Sequence, residues 1–149
     1  MKTFLTHRRA TFDFEILDTY EAGLELFGFE VKAIRSGKGK LEGAHVIMRG
    51  GEAYLVGASI PSHQPANTPA SYDPERVRRL LLSRKEIAAL RQKSDQRGLT
   101  IVPLSVYSNG RSIKLKIAVA RGKKRRDKRE TLKARDTKRH IERTLKGKY

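Results

Sequence analysis

The residues best suited to chemistry in this sequence are cationic, and they are concentrated at the C-terminal end. Residues 121–149 hold 14 Lys and Arg against 4 Asp and Glu, a net charge of +10, whereas residues 1–120 carry +7. The densest stretch is Gly122–Arg129, where six of the eight residues are cationic. Lys and Arg at this density neutralise phosphates, so the pattern predicts binding to nucleic acid or to an anionic membrane surface.

The acids and histidines do not form a recognisable catalytic or metal-binding motif. The four histidines are scattered, and the chain has no cysteine, which excludes disulfides, thiolate metal ligands and a thiol nucleophile. Most acids alternate with bases, as on a salt-bridged surface. Glu21 stands apart between Tyr20 and Ala22, where its carboxylate either accepts a hydrogen bond from a guanine edge or caps a helix. We therefore expect a binding protein without cofactor or metal rather than an enzyme.

Two further basic segments are candidates for contact with phosphate. His7, Arg8 and Arg9 form a short arm near the N-terminus. The turn Ser36–Lys40 alternates glycine with lysine, so it is either a flexible connection or a phosphate contact through backbone N–H groups. It lacks the spacing of a P-loop, which argues against nucleotide binding there.

Periodicity and turn signals place these residues on a series of short elements. Strands are predicted at 11–17, 29–35, 44–48, 53–57, 100–107 and 112–120, with Gly50-Gly51 and Asn109-Gly110 as hairpin turns. Helices are predicted at 20–27, from Asp73, and from Ser83, where Glu86 completes a capping box. In the strand at 29–35, Glu30 is expected to face away from the apolar side. Residues 59–72 are predicted to form a loop.

These elements predict a mainly β fold: an OB-fold-like antiparallel barrel of about six strands with short flanking helices, favoured over an open α+β sheet. We assign residues 1–120 to an OB-fold RNA-binding domain and residues 121–149 to a basic tail that is disordered or helical. No apolar run approaches the roughly 18 residues of a membrane span, and the N-terminus lacks a signal-peptide pattern. The sequence therefore suggests a cytoplasmic monomer.

Four runs of sequence together resemble one family. They are YEAGL at 20–24, GFEVKAIRSGK at 28–38, DPERVRRLLL at 73–82 and GKKRRDKRE at 122–130. In this order they closely resemble SmpB, the SsrA-binding family of bacterial trans-translation. The resemblance implies an OB-fold barrel that binds the tRNA-like domain of transfer-messenger RNA (tmRNA). It also implies delivery of that RNA to stalled ribosomes, so that tmRNA and the ribosome are the expected partners.

The resemblance also assigns roles to individual residues. The residues expected to bind tmRNA are His7, Arg8, Arg9, Glu21, Lys32, Arg35, Lys38 and Leu81. The tail is expected to enter the decoding centre and the empty mRNA channel, using Gly122, Lys123, Lys124, Arg126, Asp127, Lys128 and Arg129. Truncation after Ala120 is expected to spare RNA binding and abolish ribosome rescue.

Two other functions remain open from the residues alone. A general ribosomal or translation protein would bind RNA through charge, with a steep salt dependence and little preference among RNAs. An RNA-processing enzyme would need a metal or an essential acid such as Glu21.

Overall fold

The structure, a computed structural model, describes residues 1–64, 66 and 68–123 of the 149-residue chain. The elements in this part are β1 (Lys2–Thr6), α1 (Ala10–Asp13), β2 (Phe14–Leu24), α2 (Gly28–Arg35), β3 (His45–Arg49), β4 (Glu52–Val56), β5 (Arg78–Leu81), α3 (Arg84–Ser94), β6 (Leu99–Asn109) and β7 (Ser112–Gly122). None of these helices is long and apolar enough to cross a membrane.

Six of the strands close into an antiparallel barrel. The order β6-β3-β4-β5-β2-β7 returns to β6 through a direct β6–β7 pairing. Two strands pair with the same edge of β6: β3 pairs at Ile101, and β1 pairs along residues 105–108. The predicted mainly β barrel is confirmed, and β1 is an additional strand outside the closed ring.

The barrel interior holds the main hydrophobic core. Buried side chains alternate along the strands, with Ala22, Leu55, Leu80 and Leu115 each at most 1% exposed. Ile34 of α2 and Leu90 of α3 join the same core, although neither lies on a strand. A second cluster, on the outer side of β6 and β7, contains Val102, Ala118 and Ala120 packed by Phe14, Ile16 and Leu104. β7 is therefore buried on both faces near its end.

The strongest local signals are confirmed. Gly50 and Gly51, at φ 57° and 78°, turn β3 into β4, and α3 begins with the Ser83–Glu86 capping box. The β6–β7 hairpin has Gly110 and Arg111 as its central residues, with Gly110 at φ 64°. A positive φ at the first central position alone is the pattern of a type II′ turn, so the turn lies one residue later than Asn109-Gly110.

Several predicted elements are wrong. The segment 20–24 belongs to β2 and not to a helix, because it pairs with β7 from Tyr20↔Ile117 to Gly23↔Lys114. The segment 29–35 belongs to helix α2 and not to a strand, since its buried residues follow a helical spacing: Glu30, Ala33 and Ile34. The predicted strand at 11–17 begins only at Phe14, after the short helix α1.

The predicted helix at Asp73 is wrong, since the structure has only a turn there, in which Arg76 N donates to Asp73 O at 3.1 Å. The Asp73 carboxylate accepts a hydrogen bond from Glu75 N at 2.9 Å, as expected of a cap, but Arg78 already lies on strand β5. The side chain of Arg78 is fully buried against Glu30, which was expected to face outwards. Satisfying the buried carboxylate of Glu30 outweighs the local preference for a helix after Asp73.

Candidate nucleic-acid interface

The outer face of β2 and β7 brings together charged side chains from both strands. Glu21 pairs with Lys116 and Gly23 with Lys114, in alternation with the buried Ala22 and Leu115. Since successive side chains of a strand point to opposite faces, Glu21, Lys114 and Lys116 all point outwards. We call these three residues and Leu81, which pairs with Gly23 from β5, the charged face.

The carboxylate of Glu21 is held in place by two donors from β6. The Tyr107 hydroxyl donates to one oxygen, and Asn109 Nδ2 donates to the other at 3.4 Å. The hydrogen bond from Tyr107, helped by Asn109 and the charge of Lys114, lowers the pKa of Glu21 against the opposing effect of desolvation. Burial, and then the bond to Glu21, raise the pKa of Tyr107 to about 12. Glu21 is thus an oriented anionic acceptor at neutral pH, and it caps no helix.

Replacing Tyr107 by Phe is expected to raise the pKa of Glu21 towards the ordinary value of about 4.3, because the variant lacks the principal donor to the carboxylate. A carbon-13 NMR titration of the Glu21 side-chain carboxyl measures this directly. Tyr54→Phe, which removes a hydroxyl from β4, is the control and should leave the Glu21 titration unchanged. An unaltered pKa in Tyr107→Phe would show that the hydroxyl does not stabilise the anion.

Leu81 stands exposed over a glycine. Its side chain is 49% exposed, and a Cβ built on Gly23 would lie 3.1 Å from Leu81 Cβ. The absence of a side chain at Gly23 therefore allows β5 and Leu81 to approach β2 closely. Leu81 and Glu21 both line a groove of about 1060 Å³ between the barrel and α3. The structure therefore brings these two predicted residues together.

The basic arm is anchored through its histidine. His7 is 7% exposed, its Nδ1 donates to Pro103 O at 2.8 Å, and its backbone N donates to Leu104 O at 2.8 Å. Only Nε2 is thus left for a ligand. Arg9 is exposed, with its guanidinium 3.6 Å from Asp13 and 4.9 Å from the Phe12 ring centroid. His7 fixes the root of the arm, while the arginines face solvent.

Arg8 and the Gly-rich turn line a common cleft. Exposed Arg8 lies beside Gly37, Gly39 and Lys40 around a space of about 550 Å³. Gly37 and Gly39 have φ 77° and 138°, conformations in which a side chain would be strained. The predicted turn is confirmed, and it lies near the arm.

The predicted cations Lys32 and Arg35 lie in the last turn of α2, and Lys38 follows three residues after its end. Lys32 and Lys38 are exposed, and Arg35 Nη2 donates to Arg111 O at 2.9 Å. Arg111 is in the β6–β7 turn, two residues after Asn109, which binds Glu21. The hairpin turn thus connects Arg35 to the charged face.

The position of α2 depends on a buried ionic network that the sequence pattern did not reveal. Glu30 accepts hydrogen bonds from Arg76, Arg78 (2.7 and 2.9 Å), the Tyr72 hydroxyl (2.9 Å) and its own N-cap backbone at Phe27 (2.8 Å). The remaining N–H groups of Arg78 bond the carbonyls of Ala58, Pro74 and Arg76. The helical spacing of Glu30 with Ala33 and Ile34 was the available signal for its burial.

The start of the predicted tail is structured. Gly122 pairs with Phe14, Lys123 N donates to Asp13 O at 2.9 Å, and Lys123 Nζ donates to Thr11 O at 2.7 Å. The tail therefore leaves the barrel beside α1. The other predicted tail residues lie outside the described part of the chain: Lys124, Arg126, Asp127, Lys128 and Arg129.

Comparison with known proteins identifies the family. The family model described as SmpB protein matches residues 4–147. An SsrA-binding protein of Synechococcus sp. (strain JA-3-3Ab) is 49% identical over 148 residues, covering 99% of this chain and 96% of the relative. One from Gloeobacter violaceus is 46% identical over 145 residues, covering 97% and 95%.

A solved structure supports the same assignment. The chain is similar, with 42% identity and a TM-score of 0.68, to a chain of "tmRNA-SmpB: a journey to the center of the bacterial ribosome"; the match covers 86% of this chain and 93% of that one. The family model and the near full-length relatives agree with this fold match. This chain belongs to the SmpB family.

Proposed function

We propose that this protein binds the tRNA-like domain of tmRNA and delivers it to stalled ribosomes for trans-translation. The relatives are SsrA-binding proteins, and the structural neighbour is a tmRNA-SmpB assembly of the bacterial ribosome. The observation that carries the proposal in this chain is the charged face, where an oriented carboxylate lies between lysines. Lysines can position phosphates, while Glu21 can accept a hydrogen bond from a base edge.

We propose that the protein acts by binding and not by catalysis. Tyr107 and Asn109 hold Glu21 as an ionised acceptor, which suits recognition better than proton donation. The partners are tmRNA and the ribosome, which places the protein in the cytoplasm.

We also propose that the tail is a separate functional part that enters the empty mRNA channel. Its root at Gly122 and Lys123 is attached to β2 and α1. Residues 124–149 carry 12 basic and 4 acidic residues, a net charge of +8, which suits a channel lined by RNA phosphates.

The direct test is binding to the tRNA-like domain of tmRNA and to an elongator tRNA of similar length at matched salt. We expect a clear preference for tmRNA. Charge alone cannot discriminate between the two RNAs, so such a preference requires contacts other than those to phosphates. If about six cations contact phosphates, log affinity should fall with log salt with a slope of about −4 to −5. Equal affinities for the two RNAs would instead support a general RNA-binding protein.

A further inference from the structure

The groove that contains Glu21 and Leu81 has α3 as its far wall, where Arg84 and Arg91 line it together with the acids Glu86 and Asp95. Arg84, Ala88, Arg91 and Asp95 all line the groove. Their spacings of three, four and seven residues place them on one side of the helix. Arg84 and Arg91 are two turns apart, so about 10.5 Å separates their positions along the helix axis. This distance suits contacts with more than one phosphate of a strand.

Four acids line the groove, and three of them, all except Asp95, accept hydrogen bonds from residues in the described part of the chain. Glu86 accepts from Ser83 N at 3.1 Å and from Ser83 Oγ at 2.9 Å, as part of the capping box. Glu52 accepts from Arg79 Nε at 3.4 Å, and Glu21 accepts from β6. In contrast, the side chains of Arg84 and Arg91 are exposed and make no ion pair or hydrogen bond with any residue in the described part of the chain. Their charges are available to an anion.

Part of the groove lining is apolar. Leu81 and Ile87 contribute hydrocarbon, and Gly23 and Ala88 leave room beside them. Lys114 lies at the opposite wall from α3, on the charged face. Apolar side chains between Lys114 on one side and Arg84 and Arg91 on the other suit a nucleotide strand, whose sugars and bases pack on hydrocarbon while its phosphates meet these cations.

We propose that α3 is the second wall of the tmRNA-binding site, with Arg84 and Arg91 as phosphate-binding residues. The groove is continuous with the charged face through Glu21, Leu81 and Lys114, so one RNA can occupy both. The inference rests on the proposed function, and it adds α3 to the residues that the family resemblance implies.

The experiment measures the affinity of full-length protein for the tRNA-like domain at several salt concentrations. The variant is Arg84→Gln/Arg91→Gln, because glutamine retains helix propensity while removing both charges. The matched control, Lys85→Gln/Arg97→Gln, also removes two exposed charges, one from α3 and one just beyond it, but neither residue lines the groove. Urea denaturation establishes that both variants remain folded.

We expect the Arg84/Arg91 variant to bind at least about tenfold more weakly and its salt slope to be shallower by about 1.4 to 1.8, the loss of two phosphate contacts. Each single variant should show about half of that change in slope. The control should retain the wild-type slope. If the variant and the control have equal affinities and slopes while the wild type still prefers tmRNA, the α3 inference is overturned and the proposed function stands. If the wild type shows no preference for tmRNA over tRNA, the proposed function itself fails, and this inference with it.

Discussion

Replacing Arg78 by Met is expected to lower the free energy of unfolding by about 3–5 kcal/mol, because it removes from a buried carboxylate the fully buried one of its two cations. Glu30 and Arg78 are both 0% exposed, and their Oε2–Nη2 distance is 2.7 Å. The variant also removes the donors to three backbone carbonyls of the segment that leads to β5. Urea denaturation followed by circular dichroism measures the loss.

Arg79→Met is a matched control, since Arg79 is the next residue of β5 and has the same side chain. Its guanidinium is exposed and lies 3.4 Å from both Glu25 and Glu52, so its loss should cost no more than about 1 kcal/mol. If the two variants unfold at the same urea concentration, the buried network does not hold α2 against the barrel.

The same network makes stability depend on pH in the acid range. Burial by itself would raise the pKa of Glu30, but hydrogen bonds from Arg76, Phe27 N and Arg78 outweigh it and lower the pKa. A carboxyl whose folded-state pKa is depressed contributes full stability above its unfolded pKa of about 4.3 and loses that contribution as pH falls through the folded value. As the pH falls below about 5, the free energy of unfolding should therefore decrease more in the wild type than in Glu30→Gln. Parallel stability–pH curves would contradict this assignment.

Truncation after Lys123 is expected to abolish ribosome rescue while preserving preferential binding to the tRNA-like domain of tmRNA. The cut removes residues 124–149 with their net charge of +8, but it retains the charged face, the arm and a net charge of +9. It also retains the contacts of Gly122 and Lys123 with β2 and α1. Peptide tagging in translation reactions on an mRNA without a stop codon measures rescue, and RNA affinity is measured in parallel.

Two comparisons make the truncation informative. A chain with the same 26 tail residues in scrambled order keeps the charge, so its failure in tagging would show that tail sequence matters and not charge alone. Truncation after Ala120 removes the Gly122–Phe14 pairing as well, and it should be less stable than truncation after Lys123. Loss of tmRNA preference on truncation after Lys123 would disprove the proposed separation of RNA binding from tail function.

The tertiary structure also changed the interpretation of particular site residues. Glu21 was isolated in the sequence and ambiguous between a helix cap and an RNA acceptor. The pairing of β2 with β7 and the donors from β6 make it part of a face with Lys114 and Lys116. Nothing in the local sequence pattern of Lys114 and Lys116 placed them beside Glu21. That juxtaposition depends on strand register, which is a non-local property.

The sequence by itself determined the features that local chemistry controls. Glycines specify the turns at Gly50-Gly51 and Gly110, Ser83 and Glu86 start α3, and the positive charge is concentrated after residue 120. Only the tertiary structure decided that 20–24 is a strand and 29–35 a helix, and that Glu30, Arg78 and His7 are buried. The physical reason is that both segments are short and apolar enough to fit either the helical or the strand periodicity of buried residues. Pairing with β7 and the hydrogen bonds of a buried carboxylate, both made by residues distant in sequence, selected between them.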